Sequence, residues 1–173
     1  MGDQGKTRLF SGESVSKKSP RVDAYGDLDE LVSILSIARH LVTHNEIKQD
    51  LLLIQRSLFT VGAELATSPD KLSKLPSRVD ANFLKVIEAQ REKLESLVSI
   101  PRGFVIPGNN LAAAYLDFAR TVARRCERKV VGLFEAKEIQ NEILIVWMNR
   151  LSDYLYLMAR YEEEATFMVK ENK

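Results

Sequence analysis

Histidine and cysteine are scarce in this chain, with 2 His and 1 Cys among 173 residues. The lone thiol, Cys126, excludes an internal disulfide framework and fits a reducing compartment. No general base lies near it in the sequence, so it reads as a core residue rather than a nucleophile. His40 and His44 have metal-ligand spacing, but no third His or Cys cluster joins them and no zinc site is expected. An excess of charge is lacking too: 25 Lys and Arg against 24 Asp and Glu leave a formal net charge of +1. Such a chain has no global field to recruit nucleic acid or an anionic membrane, so neither is an expected partner. The longest apolar run, residues 143–148, falls far short of the ~20 residues of a membrane span. The first residues carry no apolar signal region, and Lys6 stands where a myristoylation motif needs Ser or Thr. A cytoplasmic location is expected.

What is present is helical periodicity. The length fits one domain over 1–173, and 45% hydrophobic with 28% charged residues is ordinary for a globular chain. Residues 1–26 show no sustained period and read as an extended loop segment. From Asp27, with Glu30 three residues on as a capping box, Leu28, Leu31, Leu35, Ala38 and Val42 mark one apolar face. A second helix is expected from Asn45 through Ile47, Leu51, Ile54, Leu58, Val61 and Leu65, followed by a loop over 68–77. A third spans about 80–98, with Phe83, Val86, Ile87, Leu94 and Leu97 inward. After a short extended piece, Phe104-Val105-Ile106-Pro107-Gly108, a fourth runs from Asn109 or Asn110 to about Leu133. A fifth runs from about Lys137 into Glu162, Glu163 and Glu164, and the tail 170–173 is expected to fray. The expected fold is an all-α, single-domain five-helix bundle over 27–168, preceded by an extended N-terminal loop.

Two stretches carry chemistry. Gly2-Asp3-Gln4-Gly5-Lys6-Thr7 has the residue types of a phosphate loop, yet lacks the distal glycine and the preceding strand of a Walker A motif. Glycines that admit backbone N–H groups, with a lysine beside them, still suit phosphate. The fourth helix sets Tyr115, Phe118, Ala119, Val122, Cys126, Val130 and Leu133 on one side and Asp117, Arg120, Arg124, Glu127 and Arg128 on the other. Arginines at i, i+4 and i+8 repel one another unless an anion sits on them, and guanidinium forks match phosphate oxygens. Spacing alone favours a solvated face over an anion site, with nucleic acid a third and weaker reading. Asn149 and Asp153 share a face of the fifth helix, as a functional pair or as interhelical hydrogen-bonding groups. Phe104 reads from its position as a core plug.

Four blocks in order resemble the PduO-type ATP:cob(I)alamin adenosyltransferases: residues 2–7 with Lys17, the RVDAYGDLDEL run from Arg21, FVIPG with ARTVARRCER, and NRLSDYL from Asn149. The resemblance implies an enzyme that transfers the 5′-deoxyadenosyl group of ATP to the Co(I) centre of reduced cobalamin, releasing triphosphate. It implies a homotrimer with ATP and Mg²⁺ at inter-subunit sites, and a cobalamin reductase and an acceptor mutase as partners. Gly2, Asp3, Gly5, Lys6, Thr7, Arg8 and Lys17 match the ATP loop. Arg124, Arg125, Glu127, Arg128 and Asn149 match further ATP contacts, and Arg120 is implied to pair with Asp29. Phe104 matches an aromatic that crowds the lower corrin face and disfavours the axial ligand, which eases reduction of cobalt. No residue is implied to be a metal ligand. Met1 stands where the family has a short strand, Val32 where it has asparagine, Asn109 where it has a second glycine and Asp117 where it has histidine. A non-catalytic protein of the same fold that delivers or senses ATP and cobalamin is the alternative.

Overall fold

Ser19 and Pro20 start the first helix. In the computed structural model α1 (Pro20–Leu41) begins with the Ser19 hydroxyl accepting from the Val22 amide, and Pro20 occupies the first turn, where its missing N–H costs nothing. The start is about two turns earlier than Asp27. Asp27 and Glu30 are therefore not a capping box. They lie within the helix, and both carboxylates pair with Arg125 on a neighbouring helix. The structure describes residues 2–163 and 165–169. The expectations for Met1, for Glu164 and for the tail 170–173 lie outside the described residues.

The remaining helices are α2 (Asn45–Leu65), α3 (Ala81–Glu95), α4 (Leu111–Glu135) and α5 (Glu142–Tyr161). Three begin on a side-chain cap: Asp80 accepts from the Phe83 amide, Asn110 from Ala113 and Asn141 from Ile143. α5 is shorter than expected at both ends. Lys137, at φ 59°, turns the chain out of α4, and the helix restarts only after Asn141. Past Tyr161 the chain stops being helical because Glu162 turns inward. Its buried carboxylate accepts from the amides of Thr43 and His44, the Thr43 hydroxyl and His44 Nδ1. Those amides precede α2, so the end of one helix caps the start of another.

α4 packs against both α1 and α5, α2 packs on α1 and α3 on α5, and Asp50 closes the ring by accepting from Gln90 of α3 at 2.8 Å and Tyr154 of α5 at 2.6 Å. One hydrophobic cluster runs through all five helices, and it contains every apolar residue expected on the inner faces of α1 and α2. α3 ends at Glu95 rather than near 98; Val86 on it and Leu97 beyond its end are exposed rather than inward, while Ile87 and Leu94 are buried. Trp147 packs against Phe83 with the rings tilted by 45° and their centroids 5.6 Å apart, which helps hold α3 to α5. Each leucine-sized side chain in such a core contributes about 1.5–3 kcal/mol of transfer free energy.

Arg21 ties the lower end together. Its buried guanidinium donates to the carbonyls of Leu65 (2.6 Å), Thr67 (3.0 Å) and Glu138, joining α1 to the end of α2 and to the α4–α5 turn. The segment before α1 is not without strands. β1 (Lys6–Arg8) pairs antiparallel with β2 (Ser14–Ser16) in a small hairpin. A second two-stranded ribbon joins β3 (Val105–Ile106) to β4 (Phe167–Met168).

Candidate active site

The arginines of α4 are not equivalent. Arg124 and Arg128 are exposed and have no ion pair among the described residues. Arg120 is half-buried, with Nε donating to Asp117 at 2.9 Å. Arg125 turns the other way: Nε donates to Asp27 at 2.9 Å, and Nη2 meets Glu30. Burial pushes the Asp27 carboxyl up, but hydrogen bonds from Lys129 and Arg125 outweigh it and leave the group below its ordinary range. Asp117 was expected on the arginine face, yet it is 3% exposed. The end of α5 covers it, with Arg160 Nη2 at 2.6 Å. Phe118, expected inward, is exposed instead. Glu127 accepts from Asn149 Nδ2 at 3.1 Å, and Arg150 donates to Asn149 Oδ1 at 3.2 Å, so Glu127 and Asn149 stand together beside the open arginines.

Arg120 and Arg124 line a cleft of about 330 Å³ with Arg91, Glu95, Asp153 and Tyr156. Arg91 and Tyr156 were not among the expected site residues. Tyr156 lies seven positions after Asn149, a helical repeat that could have flagged it. Nothing in the sequence sets Arg91 apart from the other charges of α3. Cys126 is fully buried on the opposite side, and burial pushes its thiol up to about 12, which suits a core residue and not a nucleophile. His40 meets the Ser36 carbonyl and His44 meets Glu162; among the described residues no group of three or more His, Cys, Asp or Glu could hold a metal.

The N-terminal loop gathers as a second unit. Gly2–Gln4 form one turn of 3₁₀ helix, Gly5 takes φ 69°, and the Lys17 amide donates to the Gly5 carbonyl at 2.8 Å. Lys17 Nζ stands 3.9 Å from where a Cβ on Gly2 would lie. Gly2, Asp3, Gly5, Lys6, Arg8 and Lys17 are exposed and Thr7 half-exposed, so the loop offers backbone and ammonium groups to solvent. Its hairpin is anchored through Glu13, which meets Ser11, Ser68 and Lys71.

Asp29 is exposed and lines a different surface, an apolar groove of about 560 Å³ between α1 and α2. Phe10, Tyr25, Val32 and Phe59 line it too, and Phe10 and Phe59 are 66% and 68% exposed. The groove and the arginine cleft share no residue and no helix. Within one chain, then, Asp29 and Arg120 do not meet.

Phe104 is not a core plug: it is 86% exposed. It stands immediately before β3, and its carbonyl accepts from the Val169 amide at 3.0 Å. Gly108 follows at φ 91°, and a Cβ there would approach the Ala114 Cβ to 3.2 Å, so the turn sits tightly on α4. Ile106, Leu111, Phe118, Phe167 and Val169 are further exposed apolar residues on β3, α4 and the C-terminal strand.

Residues 1–162 match the family described as cobalamin adenosyltransferase. A corrinoid adenosyltransferase of Citrobacter freundii is 38% identical over 162 residues, covering 94% of this chain and 92% of that protein. The corrinoid adenosyltransferase PduO of Salmonella typhimurium is 39% identical, and the chain spans 48% of its length. Among solved structures, a single-site variant of the PduO-type ATP:corrinoid adenosyltransferase from Lactobacillus reuteri, complexed with cobalamin and ATP, is similar at a TM-score of 0.87. Its identity is 30%, and the match covers 98% of this chain and 97% of that one. A second variant of that enzyme, complexed with ATP, has a TM-score of 0.86 at 32% identity.

Proposed function

The chain belongs to the cobalamin adenosyltransferase family, and from that premise we propose that it moves the 5′-deoxyadenosyl group of ATP onto the Co(I) centre of reduced cobalamin. The Co–C5′ bond forms as the bond from C5′ to the triphosphate oxygen breaks, and triphosphate leaves with the electron pair. Co(I) is itself a strong nucleophile, so no Ser, Cys or His activation is required of the protein. Its task is to align C5′ with cobalt and to stabilise charge growing on the leaving group.

The observation that carries this reading is the pair of exposed arginines, Arg124 and Arg128, four residues apart and free of ion pairs among the described residues. They have unspent donors for phosphate oxygens, and Arg120 lines the cleft beside Arg124. Gly2, Asp3, Gly5, Lys6, Thr7, Arg8 and Lys17 would supply the other phosphate contacts. Glu127 and Asn149, bonded to one another on α4 and α5, would add further contacts on this side, and Arg125 braces α4 on α1 through Asp27. Mg²⁺ is held mostly through phosphate oxygens and water with one or two carboxylates. Glu127 is a carboxylate on the arginine side that fits this use.

The site is proposed to be completed between chains of a homotrimer. Asp29 has no ion pair among the described residues and lies beside a groove with two exposed phenylalanines, a surface that a neighbouring copy would cover. A partner's arginine side would meet Asp29 there. Phe104 would sit beneath the corrin and disfavour its lower axial ligand. We read 1–173 as one adenosyltransferase domain, and buried, unpaired Cys126 fits a cytoplasmic setting. A reductase that supplies Co(I) and a mutase that takes the product are the partners this chemistry calls for.

The test is single-pot adenosylation with ATP, Mg²⁺ and chemically reduced cob(I)alamin, followed by the cobalamin spectrum. The parent should yield the alkylcobalamin spectrum, and Arg124→Ala should be slower by about 10²–10³-fold with its helical content intact. ATP binding without any spectral change in the parent would instead indicate a delivery or sensing protein.

A further inference from the structure

A buried ionic chain runs from the arginine cleft to the turn that bears Phe104. Arg120 Nε donates to Asp117 Oδ1 at 2.9 Å. The other oxygen of Asp117 accepts from Arg160 Nη2 at 2.6 Å. Arg160 then grips Glu163 with two donors, Nε and Nη2, each at 2.8 Å. The Arg160, Asp117 and Glu163 side chains are 2%, 4% and 1% exposed. From Glu163 the contacts pass to the loop segments: its carboxylate accepts from the Thr166 hydroxyl at 3.2 Å and from the Asn109 amide at 3.5 Å. Asn109 Nδ2 donates to the Ala165 carbonyl, and Asn110 Nδ2 donates to that of Glu162 at 2.6 Å. Beyond these lie the β3–β4 ribbon and the Val169–Phe104 hydrogen bond. A second link returns to the cleft, because the Arg160 guanidinium lies 5.0 Å over the ring of Tyr156, which lines it.

We propose that Arg160 and Glu163 are positioning residues for the transfer: through Asp117 they fix the Phe104 turn relative to Arg120, so both sides of the reacting centre are set by one buried contact. The physical reason is that three charges out of water have a single satisfactory arrangement. A shift of either end leaves a charge uncompensated, which is how a buried ionic group specifies geometry while adding little to stability. Arg160 offers a fork whose planarity permits it to hold two carboxylates at fixed angles, which a lysine could not do. Asp117 takes part only because it is an acid.

This inference rests on the adenosyl-transfer reading, and the experiment separates the two. Glu163→Gln in the full chain keeps the shape of the side chain and removes its charge. Two quantities are compared with the parent: steady-state kcat and KM for ATP, and amide hydrogen exchange over 103–110 and 165–169. The expected result is faster exchange in those two segments with α1 and α2 unchanged, and kcat lower by about tenfold or more at nearly constant KM. Unchanged exchange, or loosened segments with parental kcat, overturns the proposal. If Glu163→Gln fails to fold, Thr166→Val removes only one hydroxyl from the same carboxylate and should show the same two effects, smaller. A parent without ATP-dependent turnover overturns the transfer reading itself, and the exchange arm, which needs no substrate, tells that failure apart.

Discussion

Glu13 illustrates how one half-buried carboxyl can organise a loop. Lys71 first, then Ser11 and its own amide, with Ser68 adding to them, hold the Glu13 carboxyl at about 2 against an ordinary 4.5. A depressed carboxyl of this kind stabilises its contacts fully above pH ~4.5 and loses that contribution as pH falls toward 2. The hairpin should therefore detach in acid from the 3₁₀ helix Pro69–Lys74, which carries Lys71 within the stretch expected to be a loop, before the bundle responds. Amide exchange at Leu9 and Gly12 across that range would show it, and Glu13→Gln should abolish the pH dependence. Raising salt at neutral pH should loosen the hairpin in the same direction, since the pair is partly exposed and screened. None of this was legible in the sequence, because the partners lie 55 and 58 positions away and are ordinary polar residues. The arginines at positions 120, 124 and 128 were legible from helical spacing alone. The division among them was not: Arg120 is spent on Asp117, which α5 holds through Arg160, while Arg124 and Arg128 stay open.

At the scale of elements, the apolar period located all five helices and failed mainly at their ends. α1 is the instructive case. Its apolar face starts late, so periodicity pointed to Asp27, whereas the helix is set by Ser19 as cap and Pro20 in the first turn. Ser19→Ala should cost about 1 kcal/mol and lower the melting temperature by about 2–4 °C in a chain of this size. Asp27→Asn, if Asp27 were the cap, would leave Arg125 untouched; here it should remove one of the two carboxylates that hold that guanidinium, and a double-mutant cycle with Arg125 reads the coupling. The short strands escaped notice because two- and three-residue pairings carry no period of their own. β3 and β4 are more than sixty residues apart in the chain and are brought together only by the turn of the chain after α5. The last turn of α5, through Arg160, buries Asp117, which spacing alone had put among solvated charges.

At the scale of the molecule, the bundle presents two unlike surfaces. Asp29 lies with apolar residues between α1 and α2, whereas Arg120 and Arg124 line a cleft of α3, α4 and α5. Such a division is what a head-to-tail ring requires, each copy offering one half of a site to the next. It has a genetic consequence. In the ring proposed above, a chain damaged only at Asp29 would keep a sound arginine half, and a chain damaged only at Arg124 a sound acidic half. Asp29→Asn and Arg124→Ala proteins, each inactive alone, should complement one another when unfolded together and reassembled as mixed rings. With random assortment, about a quarter of the sites would join two undamaged halves. Recovery of about that share of parental adenosylation would mark the two lesions as belonging to different cistron-like halves of one site, and no recovery would mean that a single chain carries the whole of it.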